Sequence, residues 1–337
     1  LGLLIFSFIV NAIAIIPFIN LLYRLRFYKN KSAVEADKTD AASVHIRTKA
    51  RTPEGAGLLI IVVVSVLFAL VFPLIKFFGI YISQVYSLND ELNIIFFTFI
   101  SFGLLGLYDD VVKYFELDRE LGYAGLKTRD KLVIQWILAI IVGVLLHFNL
   151  GIGIINIPLL GVLNLGIWYV FIAAFLIVMM ANAVNITDGM DGLAGGLLMI
   201  ALFGFWFLSA SILDTPLSIF LALWLGSLIA FLYFNVFPAR IFMGDVGALS
   251  FGATFAVVGL LLGKIVVVLV VGIPFIIEGA SSLFQLLSIK FFKKRIFPVA
   301  PVHYWLLKSG WAETKIVQRA WLMGIMLVVF GVWLSLI

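Results

Sequence analysis

The sequence predicts an all-α, polytopic membrane protein with about ten transmembrane helices. Of its 337 residues, 64% are hydrophobic and 12% are charged, which is more apolar surface than a soluble chain of this length could bury. The apolar runs are about 20 residues long, as helices that cross a bilayer require, and they lack the alternation of outer-membrane barrel strands. Cysteine is absent, so disulfides and thiolate metal sites are excluded. We therefore expect the lipid bilayer to surround this chain.

Ten apolar runs define the expected spans, with boundaries good to a few residues. They are roughly 1 to 23, 55 to 75, 92 to 108, 132 to 149, 167 to 186, 193 to 213, 216 to 234, 247 to 263, 265 to 288 and 317 to 337. The first run has no basic stretch before it, so we expect a true span rather than a removed signal peptide. No repeat and no low-complexity linker interrupts the chain, so residues 1–337 are treated as a single integral-membrane domain.

Basic residues are concentrated on one side of this predicted bundle. The connections 24–51, 109–131, 235–245 and 289–319 hold 21 of the 23 Lys and Arg residues. By the positive-inside rule these connections face the cytoplasm, and both termini lie outside. The net charge of +5 therefore reports membrane orientation and does not indicate nucleic-acid binding.

A short segment on the outer side has the composition of β-strands. Residues 152–165 are rich in β-branched side chains, carry Gly and Pro, and are too short to cross a bilayer. We expect a small β-hairpin there, at the outer interface.

The stretch 182–196, NAVNITDGMDGLAGG, is the most polar segment inside an apolar run. Asn182, Asn185, Asp188 and Asp191 are spaced three apart, so a continuous helix would align them in one slowly rotating stripe that the glycines break. Acids that precede a helix start are ordinary, so helix capping is the simpler interpretation of the two aspartates.

Two further acidic segments lie at the same predicted boundary, LYDDVVK at 107–113 and FMGDVG at 242–247. Asp109 and Asp110 point about 100° apart on a helix. They can therefore reach a common cation if the helix ends there, and otherwise they have different roles. Asp245 is flanked by glycines at the start of a span, where free backbone amides favour anions. The simpler alternatives are a solvated helix end for the pair and a helix N-cap for Asp245.

Taken together, these acids favour a functional site. Five carboxylates beside apolar spans are costly unless a cation or basic groups neutralise them. They are Asp109, Asp110, Asp188, Asp191 and Asp245. Oxygen ligands without cysteine suit Mg²⁺, and nearby basic residues suit phosphates. These basic residues are Lys49, Lys113, Lys127, Arg129, Lys131 and Arg295. The combination predicts a phosphoryl-transfer site.

The last basic connection contains a histidine and several aromatic residues. His303 is one of three histidines in the chain and is followed by Tyr304 and Trp305. A solvated histidine and an interfacial aromatic belt are the simpler interpretations. Glu278 and Gln285, seven residues apart in the ninth predicted span, would share one helix face, and hydrogen bonds between helices would explain them.

Seven segments in this order resemble the polyprenyl-phosphate N-acetylhexosamine-1-phosphate transferases, and most closely the phospho-N-acetylmuramoyl-pentapeptide transferase family among them. They are Thr52-Pro53, LYDDVVK, GLKTRDK (125–131), NAVNITDGMDGLAGG, FNVFPARIFMGDVGALSFG (234–252), IEGASSLFQ (277–285) and KRIFPVAPVH with KSGW (294–311). The resemblance implies ten transmembrane helices, a cytoplasmic active-site groove, a homodimer and residence in the bacterial inner membrane. It also implies transfer of phospho-MurNAc-pentapeptide from UDP-MurNAc-pentapeptide to undecaprenyl phosphate, which forms lipid I and UMP.

The resemblance also implies roles for individual residues. The residues that match the catalytic positions are Asp109, Asp110, Asp188 and His303, and Asp245 matches the Mg²⁺ ligand. The residues that match substrate-binding positions are Lys49, Lys113, Lys131, Asn182, Asn185, Gly189, Asp191, Asn235, Phe242 and Gln285. Gly189 and Asp191 match the uridine pocket, with Asn235 beside it, and Phe242 matches a ring that stacks on uracil.

Three departures from the family pattern bear on the donor. The family has three consecutive histidines where this chain has His303, Tyr304 and Trp305, its TPTMGG is TPEGAG here, and Ala248 replaces a serine. A relative that uses UDP-GlcNAc, as in teichoic acid or O-antigen initiation, is therefore the alternative. A third hypothesis, an ion-coupled transporter, predicts polar residues near the bilayer midplane, whereas here they gather at one boundary.

Overall fold

The fold of this protein is given by a computed structural model that describes residues 1–28, 52–79, 81–115 and 127–337. Lys49, which the family resemblance places among the phosphate-binding residues, lies outside the described residues. Within them, the chain folds into helices and one small hairpin. The prediction of an all-α polytopic membrane protein is confirmed.

Ten helices within the described part of the chain are long and apolar enough to cross a bilayer, as predicted. They are α1 (Gly2–Arg24), α2 (Ala56–Phe77), α3 (Leu88–Tyr114), α4 (Thr128–Val144, extended by a π-helical turn Leu145–Asn149), α5 (Trp168–Thr187), α6 (Leu193–Ser211), α7 (Thr215–Asn235), α8 (Gly244–Leu261), α10 (Ile273–Phe292) and α12 (Glu313–Ser335). Two short helices, α9 (Ile265–Val271) and α11 (Val302–Lys308), complete the helical structure.

The predicted hairpin is confirmed between α4 and α5. Strand β1 (Ile154–Ile157) pairs antiparallel with β2 (Gly161–Asn164). Gly161 opens the second strand with a φ of +98°, a conformation that costs glycine little. The segment is too short to cross the bilayer as a helix, and the strand pairing gives its backbone groups their hydrogen-bond partners.

The ninth predicted span, 265 to 288, is wrong in detail because the structure divides it. Helix α9 ends at Val271, Gly272 forms the junction, and α10 begins at Ile273 with Pro274 in its first turn. Proline is tolerated in a first turn, where its missing N–H would have had no helical partner, but it would break a helix interior.

Several helices also extend beyond the predicted limits. Helix α3 continues to Tyr114, six residues past the predicted end at 108, and α12 begins at Glu313 rather than 317. Hydropathy alone ends a span at its first charges. The helix continues here because Asp109, Asp110 and Lys113 find partners on neighbouring helices.

Helix α8 lies at the centre of the bundle. Every residue of this helix is buried except Asp245, and α2, α3 and α5 pack around it. The backbones approach closely at two glycine positions. A Cβ on Gly106 of α3 would overlap the carbonyl oxygen of Asp245, and a Cβ on Gly57 of α2 would overlap the backbone of Gly247. These contacts hold the first turn of α8 against its neighbours.

Candidate active site

The predicted acidic and basic residues converge at one end of the bundle, which we call the site end. The last turns of α3 and α5 meet the first turns of α4 and α8 there. Asp109, Lys131, Asn185 and Asp245 come from these four turns and contact one another. Residues from four separate segments of the sequence therefore form one polar cluster.

Two carboxylates in this cluster share two ammonium groups. Lys113 Nζ lies 2.8 Å from Asp109 Oδ2 and 2.7 Å from Asp245 Oδ2. Lys131 Nζ lies 2.8 Å and 2.6 Å from the same two oxygens. The side chain of Asp109 is 2% exposed and that of Lys131 is 16% exposed. Because a buried carboxylate is costly without a cation, each lysine offsets the cost of both acids.

Asp110 contacts a different part of α8 from its neighbour Asp109. Its Oδ2 accepts a hydrogen bond of 3.0 Å from the backbone N–H of Val246, in the first turn of α8. Gly244, with a φ of +74°, leaves this carboxylate room, since a Cβ there would lie 2.9 Å from Asp110 Oδ2. Asp110 therefore satisfies a free amide of one helix from another.

The simpler alternative for Asp245, a helix N-cap, is wrong. Met243 occupies the N-cap position, and no side chain caps it. The Asp245 oxygens accept from Lys113 and Lys131 on one side and from Asn185 Nδ2, at 3.1 Å, on the other. Its position in the first turn still places the negative charge at the favourable end of the helix dipole.

The two predicted asparagines lie in different surroundings. Asn185 contacts the cluster through Asp245, as stated above. Asn182, about one turn earlier in α5, donates instead to Gln135 Oε1 at 2.5 Å and to the Val178 carbonyl at 2.8 Å. Gln135 is fully buried and was missed by the sequence reasoning. Its position one turn after Lys131, on the same face of an apolar helix, was the available signal.

The segment 52–57 closes one side of the cluster. Phe242 N donates to the Pro53 carbonyl at 2.9 Å, and Gly55 N donates to the Phe242 carbonyl at 3.1 Å. The Tyr114 hydroxyl, at the end of α3, donates to the Glu54 carboxylate. Glu54 was also missed, because an isolated Glu in a loop carries no periodic signal. Phe242 itself is 8% exposed, so most of its ring is covered.

The break in the stretch 182–196 is a fixed turn between α5 and α6. Asp188 follows the last residue of α5, and Gly192, with a φ of +77°, precedes α6. Gly192 N donates to Asn235 Oδ1 at 3.1 Å, and Asn235 Nδ2 donates to the Ile241 carbonyl at 2.9 Å. Asn235 thus ties this turn to the loop that precedes α8.

Asp191 anchors the same turn from both of its ends. Its Oδ2 accepts from Ala239 N at 2.9 Å, and its own N–H donates to Glu313 Oε1 at 2.8 Å. Glu313, at the start of α12, was not predicted. Because Asp191 is bound both through its side chain and through its backbone N–H, the turn is preorganised.

Helix α11 places His303 and Tyr304 against this turn. His303 is fully buried, and a Cβ on Gly189 would lie 2.5 Å from its Nε2 atom. Tyr304 donates its hydroxyl to the Gly189 carbonyl at 3.3 Å. Burial, together with the charges of Glu313, Asp188 and Glu278, raises the pKa of Tyr304 to about 12. The hydroxyl is therefore protonated, and a donor, at neutral pH.

Gln285 and Glu278 lie on one face of α10, as their spacing predicts, but they bind different segments. Gln285 Oε1 accepts from Ile296 N and Phe297 N at 3.1 and 3.0 Å, and its Nε2 donates to the Phe297 carbonyl. Hydrogen bonds between helices were expected: Glu278 makes them to His303 of α11, whereas those of Gln285 go to the loop before α11. Arg129 and Arg295 are exposed.

The polar cluster and the turn are neighbours along α5. Asn185 and Asp188 are three residues apart, a rise of about 4.5 Å along a helix. Among the described residues, no three His, Cys, Asp or Glu side chains are placed to hold a metal ion by themselves. The site end therefore combines one oxygen-rich, lysine-neutralised cluster with one backbone-lined turn.

Comparison with known proteins decides the family. The model of glycosyl transferase family 4 matches residues 92–263. A phospho-N-acetylmuramoyl-pentapeptide-transferase of Clostridium perfringens (strain SM101) is 34% identical over 316 residues, which cover 94% of this chain and 90% of that protein. The chain belongs to the phospho-N-acetylmuramoyl-pentapeptide-transferase family, within glycosyl transferase family 4.

Two other proteins with that name extend the likeness. One from Caldanaerobacter subterraneus subsp. tengcongensis is 36% identical over 286 residues, and one from Bacillus velezensis is 33% identical over 325 residues. They cover 85% and 95% of this chain, and 84% and 92% of their own length. The matched family region includes Asp109 and Asp245 but ends before Glu278 and His303. Family membership makes this chain a multi-pass membrane transferase.

Proposed function

We propose that this protein transfers phospho-MurNAc-pentapeptide from UDP-MurNAc-pentapeptide to undecaprenyl phosphate, releasing UMP and forming lipid I. Relatives that are similar to nearly the whole chain are named for that transfer. The observation that carries the proposal is the shared pair of lysines on Asp109 and Asp245. Two ammonium groups already gathered at one point are suited to hold phosphate oxygens, which replace carboxylate oxygens of the same charge type.

Magnesium fits the donor set as an ion shared with the substrate. The cluster offers carboxylate oxygens and the amide oxygen of Asn185, and Mg²⁺ sites on nucleotide substrates use one or two carboxylates together with phosphate oxygens. Asp245 would hold the ion, and Asn185 would orient the carboxylate by donating its Nδ2 hydrogen to Asp245 Oδ1. When bound, the ion would neutralise negative charge on the diphosphate.

The lysines and acids then have separable roles. Lys113 and Lys131 would turn from the carboxylates to the phosphates of the two substrates. Asp109, released by the lysines, or Asp110 would accept a proton from a lipid phosphate that arrives as the monoanion. A lipid phosphate oxygen attacks the β-phosphorus of the donor, the bond to the UMP oxygen breaks, and UMP leaves with that electron pair. A route through a covalent aspartyl phosphate predicts a phosphorylated enzyme with donor alone.

The turn would bind the nucleoside. Gly189 and Asp191 lie on it, Asn235 ties it to the preceding loop, and Asp188 stands between it and the polar cluster. Phe242 would stack on uracil after a movement that uncovers its ring. Asn182 would hold α5 against α4 through Gln135, and Gln285 would hold the α10–α11 loop.

We further propose that the site end faces the cytoplasm of a bacterial inner membrane and that the chain works as a homodimer. The charge asymmetry of the connections supports the orientation. A soluble nucleotide sugar also requires a site open to the compartment where it is made.

The decisive experiment measures UMP release by the purified chain in detergent with undecaprenyl phosphate. Reactions should contain UDP-MurNAc-pentapeptide or UDP-GlcNAc, each with Mg²⁺ or with a chelator. Turnover only with the muramoyl donor and only with Mg²⁺ is expected. Turnover with UDP-GlcNAc alone would reassign the donor, and no turnover with either would refute the proposal.

A further inference from the structure

Glu278 binds His303 at two points. The Glu278 Oε2 atom, on α10, accepts from the backbone N–H of His303 at 3.2 Å and from its ring Nδ1 at 3.0 Å. The His303 side chain is 1% exposed, and that of Glu278 is 12% exposed. Because an ionised carboxylate only accepts hydrogen bonds, Nδ1 carries the hydrogen in this contact.

The opposite edge of the His303 ring faces the turn between α5 and α6, which we call the nucleoside turn. Nε2 of His303 is buried and has no hydrogen-bond partner among the described residues. It lies against Gly189, where any side chain would collide with it. A buried ring nitrogen without a partner is costly, and such groups in native proteins often serve a ligand.

The surroundings of His303 are acidic and aromatic. Glu278 faces it from α10, and the Tyr304 ring lies 4.2 Å away, centroid to centroid, on α11. Asp188 on the turn and Glu313 on α12 act on Tyr304 through their charges. Of these carboxylates, Glu278 hydrogen-bonds to the His303 ring.

We propose that Glu278 is a positioning residue for the transfer reaction: it fixes the tautomer and orientation of His303, so that Nε2 is presented to the donor bound at the Asp188–Gly189 turn. This inference rests on the proposed function. It follows the general logic in which a carboxylate on one imidazole nitrogen decides what the other nitrogen can do. The carboxylate touches no substrate, and its effect passes through His303.

A structural role in holding the loop must be separated from this one. Ser288, on the same helix, donates to the Lys294 carbonyl at 2.7 Å and so holds the same loop without contacting His303. Ser288→Ala is therefore the matched control. Glu278→Gln keeps the shape and an acceptor oxygen but loses the charge, whereas Glu278→Ala loses both.

The first test is a double-mutant cycle on steady-state UMP release. Glu278→Ala should lower kcat by about 10- to 100-fold, with little change in KM for undecaprenyl phosphate, and should alter the pH profile. In a His303→Ala background the same change should cost less than about twofold, because the residue acts through the ring. Ser288→Ala should keep the wild-type pH profile. Glu278→Gln, which preserves packing, carries the test if Glu278→Ala fails to fold.

The second test reads the ring without turnover. Nitrogen-15 NMR of histidine-labelled protein in detergent should show a protonated Nδ1 for His303, assigned by loss of the signal in His303→Ala. Glu278→Ala should redistribute the hydrogen between the two nitrogens. If the wild type fails to release UMP but this result holds, only the proposed function is refuted. An unchanged ring signal, or equal losses with and without His303, would overturn the role of Glu278.

Discussion

Lys131 and Asp245 form an ion pair in the polar cluster, with Nζ and Oδ2 at 2.6 Å. Lys113 binds the same oxygen at 2.7 Å. The carboxylates of the cluster are thus neutralised by the lysines that we assign to the phosphates. Binding of a divalent ion at Asp245 would compete with both ammonium groups.

Replacing Asp245 by Asn should abolish Mg²⁺-dependent UMP release, with a loss of at least about 10²-fold in kcat, because the charged oxygen ligand is removed. The measurement is UMP release across a Mg²⁺ titration. Asp214→Asn is the control, since Asp214 caps α7 through Leu217 N and asparagine caps helices equally well. Retained activity of the Asp245 variant would refute its assignment as metal ligand.

Replacing Lys131 by Met should have two opposite effects. The apparent unfolding temperature without metal should fall, because the substitution removes the Lys131 ammonium group from two carboxylates that are largely buried. The stabilisation by Mg²⁺ should grow, because the ion no longer competes with that ammonium group. Thermal unfolding in detergent, with and without Mg²⁺, measures both. A Mg²⁺ effect equal to that of the wild type would contradict the competition.

Replacing Asn235 by Ala should loosen the nucleoside turn. The change leaves Gly192 N and the Ile241 carbonyl without their partner and should cost about 1–3 kcal/mol of stability. We expect weaker UMP binding by calorimetry. The KM for the donor should increase more than the KM for undecaprenyl phosphate. Asn164→Ala, in the hairpin, is the control for an exposed asparagine. A rise confined to the KM of undecaprenyl phosphate would place Asn235 at the wrong substrate.

How much the sequence could predict depends on the range of the interaction. Membrane class and helix count followed from composition and run length, since every span needs its own apolar residues. The convergence of Asp109 and Asp245 followed from topology, because charge asymmetry placed both at one boundary. The lysine sharing and the bond between Asp191 and Glu313 did not, because no local pattern encodes which distant partner a side chain meets. Glu278 was noticed, but helical spacing within α10 could not predict that His303 of α11 is its partner.

Replacing Gly106 by Ala should damage the site without altering any polar group. The new Cβ would overlap the carbonyl oxygen of Asp245, so α3 and α8 must separate locally. Overpacking of this kind costs about 1–3 kcal/mol, and displacement of Asp245 from the lysines should lower kcat by about 10-fold or more. The measurements are thermal unfolding and UMP release. Gly2→Ala, where a Cβ meets nothing within 4 Å, is the matched control. Normal activity of Gly106→Ala would show that the close approach of α3 to α8 does not position the carboxylate.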